Sequence, residues 1–298
     1  MFDLSLSVGI TINSISYTPE AYAYSNYLKS KGLDVQLAES HLLDPLHDVH
    51  IYFMGLLPFW KKKGAWREIH EYQSLSTPPF ARTKDFTKKI LNRKPDGRIF
   101  LNQLVHNQLG FRGEAPFIYR DMGVDDALFQ KPSENPLYDI VYCGSIGGRV
   151  GLLDELKRLS ELGFKVLMIG SVDNGVRQDF SGNKNIFFTG RVERKDLPEL
   201  YRNCRAGLNY TPDIYPFNIQ TSTKTLEYLA SGLSIISNKY QWAEDFFLEN
   251  NISVTWLDCI RNVKDLKINN SNHTSLSDEV SWSAILDKSR FYEFILNS

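Results

Sequence analysis

No run of this sequence approaches the roughly 18 consecutive apolar residues that a membrane-spanning helix needs, so an embedded chain is not expected. Cysteine is scarce. Cys143, Cys204 and Cys259 are widely spaced and odd in number, which fits neither a disulfide framework nor a zinc knuckle and points to a reducing cytoplasm. A basic excess is missing too: 34 Lys and Arg stand against 35 Asp and Glu, a net charge of −1. Dedicated nucleic-acid binders carry a strong basic excess, so no nucleic-acid partner is expected. Neither an Asp-x-Asp pair nor an internal repeat of solenoid period is present. The opening MFDLSLSVGITINS has no basic n-region and carries Asp3, so it reads as a first strand and not as a secretory signal.

Apolar material is plentiful, at 42% hydrophobic and 23% charged residues, enough for packed cores without any sign of disorder. The length of 298 residues suggests about two domains. Short apolar runs alternate with helical patterns, the mark of βα units and parallel sheets. Strands are expected at 6–12, 34–38, 48–55, 98–102 and 116–120, then at 139–144, 164–170, 185–190, 206–212 and 233–237. Helices are expected in EAYAYSNYLKSKG, TKDFTKKILNRK, GLLDELKRLSELG, KDLPELYRNC and WSAILDKSRFYEFIL, and a polar loop over 264–278. The pattern predicts an α/β chain with two Rossmann-like domains facing across a cleft. The first spans 1–120, a Pro- and Asp-rich hinge follows at 121–138, and the second spans 139–280. A last helix at 281–298 is placed to pack back on the first domain.

The stretch TSTKTLEYLASGLSIIS (221–237) carries the chemistry. Leu226, Leu229 and Ala230 form an apolar helical face, Gly232 suits the helix end, and Thr221, Ser222 or Thr223 can cap its start. Capping does not explain Glu227, because lysine, three residues earlier, cannot cap. Two readings remain for Lys224 and Glu227. They form an i,i+3 pair on a solvated face, or Lys224 and the helix N-terminus hold a diphosphate while Glu227 accepts from ribose hydroxyls.

The order of motifs from 139 to 245 resembles the donor-binding domain of GT-B glycosyltransferases, especially family 4 (group 1). YCGSIGGRVGLLDEL looks like its glycine loop, basic residue and helix; FFTGRVERKDLPELYRNCRAGLNYTP like its next strand, turn, helix and strand; STKTLEYLASGLSIIS like its Lys-x-x-Glu helix; RDMGVDDALFQKP like its hinge. The resemblance implies a nucleoside-diphosphate sugar donor. Arg149 and Lys224 would hold the diphosphate, Gly144 and Ser145 would let the backbone approach it, and Ser222 and Thr223 would offer the helix start. Glu227 would bind ribose, and the turn with Arg191 and Val192 would meet the base. No metal or other cofactor is required by that design. Arg149 read without the resemblance is an ordinary helix-start arginine.

One element of the family pattern is missing. Retaining members carry a second glutamate eight positions before the first, and Ile219 stands there. An inverting enzyme needs a base for the acceptor hydroxyl, and His70, Glu71 and Glu20 are the candidates. Each also has a plainer reading, as a surface residue on a helix or a favourable charge at a helix start.

LLPFWKKKGAW (56–66) sets Phe59, Trp60 and Trp66 around three lysines, and 59–98 holds eleven Lys or Arg against four Asp or Glu. Such a patch is either a solvated basic loop or a contact for anionic lipid. Together these features imply a cytoplasmic glycosyltransferase with a saccharide or lipid-linked acceptor in bacterial surface-polysaccharide assembly, and the lipid reading of 56–66 would make it peripheral at the inner membrane face. The rivals are a non-catalytic sugar-nucleotide binder and, with fewer cleft acids than it needs, a sugar-nucleotide epimerase.

Overall fold

The structure, a computed structural model, describes residues 6–12, 18–53, 55–77, 79–111, 113–146, 149–268 and 279–298. It divides into two units, 1–123 with 282–298, and 124–281. Among the described residues no helix is long and apolar enough to cross a membrane.

The first unit holds the strands β1 (Ser7–Thr11), β2 (Asp34–Ala38), β3 (Val49–Phe53), β4 (Arg67–Tyr72), β5 (Gly97–Phe100) and β6 (Phe117–Tyr119). They form one parallel sheet in the order β2-β1-β3-β4-β5-β6. Its helices are α1 (Pro19–Ser30), α2 (Ala81–Leu91) and α3 (Gln103–Leu109). The second unit holds β7 (Tyr138–Cys143), β8 (Val166–Ile169), β9 (Ile186–Gly190), β10 (Cys204–Asn209), β11 (Ser234–Ser237) and β12 (Val254–Trp256), again all parallel, in the order β12-β11-β10-β7-β8-β9. Its helices are α4 (Leu152–Glu161), α5 (Asn174–Asp179), α6 (Leu197–Arg202), α7 (Thr223–Ala230) and α8 (Gln241–Glu249). Continuous apolar runs such as VLMI in β8 and SIIS in β11 are buried along their whole length, as parallel strands covered on both faces require. Most of the polar stretch expected as a loop at 264–278 lies outside the described residues, as do Gly147 and Gly148 of the glycine loop.

Strand β4 is the clearest departure from the sequence pattern. REIHEY looks like surface, yet Glu68, Ile69, His70 and Glu71 are all fully buried in the middle of the sheet. Buried charge persists only when paired, and both carboxylates are. Glu68 faces Arg93 at 2.6 Å, and Glu71 accepts from Arg120 Nε at 2.9 Å and from the Tyr24 hydroxyl at 2.6 Å. His70 therefore stands mid-strand and buried, and not on the surface of a helix.

Both ring nitrogens of His70 are buried without a hydrogen-bond partner among the described residues, beside the rings of Tyr52 and Tyr72. Burial, helped by Arg93 and Arg98, holds its pKa down at about 3. The unfolded chain thus takes up this proton first, and stability falls as pH drops from about 6.5 towards 3. At about 1.4 kcal/mol per pH unit, the loss at pH 5 is about 2 kcal/mol. His70→Leu is expected to match the wild type at pH 7 and to flatten the acid limb of Tm against pH.

The C-terminal segment forms two helices, α9 (Trp282–Lys288) and α10 (Phe291–Asn297), where one was expected. Arg290, at φ 52°, breaks them. Residues 282 and 291 would lie on opposite sides of a continuous helix at 100° per residue. The break brings both rings onto Tyr24, at 6.2 and 4.4 Å between centroids. Asp287 then accepts from the Tyr27 hydroxyl and pairs with Lys31, tying the segment to α1.

Candidate functional site

The strand order of the second unit reverses direction between β7 and β10, and in open α/β sheets ligands bind outside the carboxyl ends of the strands at such a point. A cavity of about 280 Å³ lies there. It is lined by Tyr142, Cys143 and Gly144 from the end of β7, Asn209 and Tyr210 from the end of β10, and Gln220 to Lys224 from the start of α7.

Three devices hold the start of α7 in place. Ser222 is the N-cap, its hydroxyl accepting from Thr225 N at 3.3 Å and donating to Asn209 Oδ1 at 2.9 Å. Asn209 in turn donates to Ser237 Oγ at 3.0 Å and to the Tyr240 hydroxyl at 2.9 Å, all three residues being buried. This network spans the ends of β10 and β11 and leaves the first-turn N–H groups aimed at the cavity. On the other side of the helix, Gly207 has no side chain because a Cβ there would sit 2.2 Å from the Tyr228 ring. Tyr228 uses that space to pack on β10, and its hydroxyl accepts from Cys143 N at 2.9 Å.

Lys224 and Glu227 form the i,i+3 pair, Nζ to Oε2 at 2.6 Å, but not on a solvated face. Glu227 is 1% exposed. Its Oε2 also accepts from the Tyr201 hydroxyl at 3.0 Å, and its Oε1 pairs with Arg194 at 3.3 Å. Arg194 reaches on to Asp125 at 3.5 Å. The carboxylate lies outside the cavity wall and anchors Lys224, which lines it. Burial works against the lysine charge, but the Glu227 carboxylate outweighs it and holds the ammonium above its ordinary pKa. Burial meanwhile pushes the neighbouring Cys143 thiol up.

Arg149 closes the opposite wall, its guanidinium donating to the carbonyl of Tyr210 across the gap between β7 and β10. The Tyr210 hydroxyl donates back to Val150 O at 2.9 Å. Gln220, beside Ile219, presents a buried amide nitrogen with no hydrogen-bond partner among the described residues. The cavity thus offers two cations, a helix start and several donors, and none of its lining residues is a carboxylate. Such a wall fits a multiply charged anion. A second cavity, of about 370 Å³, shares Arg149 and is lined by Asp154, Ser171 and Asp173 among others, so acceptors for hydroxyl groups stand next to the anion site.

Of the residues singled out in the sequence, Gly144, Arg149, Ser222, Thr223 and Lys224 meet at the first cavity. Ser145 is exposed beside it, its carbonyl accepting from Tyr142 at 2.7 Å. Arg191 and Val192 occupy the turn after β9, away from both cavity walls. In the first unit, His70 and Glu71 are sealed inside the sheet, so neither is placed in this structure to take a proton from an acceptor. Glu20 is buried in the first turn of α1, at the carboxyl end of β1, next to residues 13–17, which lie outside the described part. Tyr201, Arg194, Asn209 and Gln220 were not anticipated. Among the described residues no three His, Cys, Asp or Glu side chains cluster as a metal site.

Residues 149–267 match the model of a family described as glycosyl transferase-like, which covers the helix at α7 and both cavity walls from Arg149 on. No curated protein matches the chain. Among solved structures it is similar to HepE of Anabaena in complex with UDP and glucose, at 13% identity and TM-score 0.63, covering 98% of this chain and 100% of that one. It is also similar to AviGT4, a glycosyltransferase of avilamycin A biosynthesis, at 12% identity and TM-score 0.66, covering 98% and 99%. WaaG, a glycosyltransferase of lipopolysaccharide biosynthesis, matches at 11% identity and TM-score 0.57, covering 96% and 94%. The fold is that of the GT-B glycosyltransferases, and the family model and the structural matches agree on that class.

Proposed function

We propose that this chain is a glycosyltransferase that takes its sugar from a nucleoside-diphosphate donor and delivers it to a saccharide or lipid-linked saccharide in the assembly of a bacterial surface polysaccharide. The observation that carries the donor half is the wall formed by Lys224, Arg149 and the capped start of α7 at the strand-order reversal. HepE, of the same fold, is described as binding UDP, UDP-glucose and glucose. In the reaction the bond between the sugar and the diphosphate breaks, and negative charge builds on the departing phosphate oxygen. Fixed cations and N–H groups aimed there stabilise that charge without reorganising. Asp154 and Asp173 of the adjoining cavity supply acceptors for donor hydroxyls. The acceptor half and a metal-independent mechanism belong to the proposal. So does a cytoplasmic site of action at the inner face of the cell membrane, where a lipid-linked acceptor would be met.

The test is a panel of nucleotide sugars incubated with the purified chain, with and without lipid extract, while free nucleoside diphosphate is measured. Release from one donor, accelerated by the extract, is the expected result. Binding by calorimetry without release in any condition would replace the transferase by a non-catalytic sugar-nucleotide binder, the reading that Ile219 in place of a glutamate favours.

A further inference from the structure

The first unit carries an exposed surface that the donor site does not use. Residues 55–63 are stitched to the end of α2. Phe59 N donates to Leu91 O at 2.9 Å and Arg93 N to Leu57 O at 3.0 Å, while Leu57 N donates to Asn92 Oδ1 at 2.8 Å. The Arg93 guanidinium donates to the carbonyls of Lys61 and Lys62 at 2.9 and 2.5 Å. Two segments thirty residues apart in the chain thus make one face, a juxtaposition absent from the sequence pattern at 56–66. On it Phe59 and Trp60 pack edge to face at 5.0 Å, and Phe86 and Ile90 stand one helical turn apart on α2. All four side chains are more than half exposed.

The charge of this region is one-sided in a way that counting alone understates. Each of the four acids between 59 and 98 is already paired: Glu68 with Arg93, Glu71 with Arg120, Asp85 with Lys88 and Asp96 with Lys63. Lys61 and Lys62, exposed on this face, make no ion pair among the described residues. Outward charge on this face is therefore positive, interleaved with outward aromatic and aliphatic side chains. A nucleic acid would match the charge but not the set of solvent-facing Phe, Trp and Ile side chains. A bilayer with anionic headgroups uses both, the lysines at the phosphates and the rings at the acyl boundary.

We infer that the face made by residues 55–63 and α2 docks this protein on an anionic lipid bilayer. The inference deepens the reading above by naming the surface that would bring the chain to a lipid-linked acceptor, and its evidence is independent of the donor site. Each lysine at such a surface contributes about a fivefold gain in partitioning, so Lys61→Gln with Lys62→Gln is expected to lower binding by about twentyfold or more.

The experiment is co-sedimentation of the full chain with vesicles of phosphatidylcholine alone, or of phosphatidylcholine with phosphatidylglycerol. Expected is salt-sensitive binding to the second kind only, lost in Phe59→Ser with Trp60→Ser and in the double lysine variant, and kept in Leu248→Ser, which removes a still more exposed apolar side chain from the second unit. Circular dichroism and UDP calorimetry on the same samples separate this result from misfolding and from failure of the donor reading. Absence of wild-type binding to anionic vesicles, equal binding to both kinds, or equal loss in Leu248→Ser overturns the inference. Retention on duplex DNA without vesicle binding overturns it in favour of a nucleic-acid surface.

Discussion

Lys224→Ala is expected to weaken nucleoside-diphosphate binding about 10- to 150-fold and to destabilise the second unit at the same time. The first effect follows from removing a charged donor from the cavity wall, since hydrogen bonds to charged groups contribute about 1.5–3 kcal/mol. The second follows from Glu227. With its nearest cation gone, this buried carboxylate keeps, among the described residues, Tyr201 and Arg194. Removing one partner of a buried pair costs about 3–5 kcal/mol, and the two remaining partners put this case at the lower end. The two effects separate in experiment: calorimetry with UDP at low temperature reads the cavity, and urea unfolding reads the pair. A variant that unfolds more easily yet binds UDP as the wild type does would make Lys224 a structural residue and sink its role on the diphosphate. Glu227→Gln gives the complementary case. It leaves the ammonium in place with a weaker anchor, so a smaller loss of affinity than in Lys224→Ala is expected.

Glu71→Ala is expected to cost the first unit about 3–5 kcal/mol, a large part of the roughly 5–15 kcal/mol that holds a domain folded. Arg120 is fully buried, its guanidinium beside the rings of Tyr24 and Trp282 at 5.8 and 5.3 Å, and Glu71 supplies its counter-charge. Deleting the carboxylate strands that cation. Replacing both partners by apolar residues removes the stranded charge, so Glu71→Leu with Arg120→Met is expected to recover most of the stability in urea. The same pair of variants decides whether Glu71 acts on an acceptor. A Glu71→Ala protein that melts like the wild type but no longer transfers sugar would restore the catalytic reading that its burial argues against.

The sequence pattern reaches far where one residue type answers one physical demand. Apolar runs announce β7, β8, β10 and β11, Ser222 and Gly232 announce the two ends of α7, and Lys224 announces the cavity. It fails where two distant residues answer one demand together. β4 looks like surface because Glu68 and Glu71 are charged, and the arginines that neutralise them follow 25 and 49 residues later. Glu227 looks like a ligand residue because Tyr201 and Arg194, which occupy it, come 26 and 33 residues earlier. The break at Arg290 has no Gly or Pro to mark it; a ring of Tyr24 far upstream sets it.

The return of residues 282–298 to the first unit has a bearing on the order in which the protein takes shape during synthesis. Domains commonly fold as they leave the ribosome, the N-terminal one first. Here the second unit, 124–281, has all its strands before translation reaches Trp282, whereas the first lacks Trp282 and Phe291, two of the rings around Tyr24, until translation has passed the whole of the second unit. Of the two, the unit that begins earlier is completed later. Its apolar α1 surface and its buried Glu71–Arg120 pair wait, partly uncovered, through the making of the other unit, and chains stalled near residue 280 would expose them.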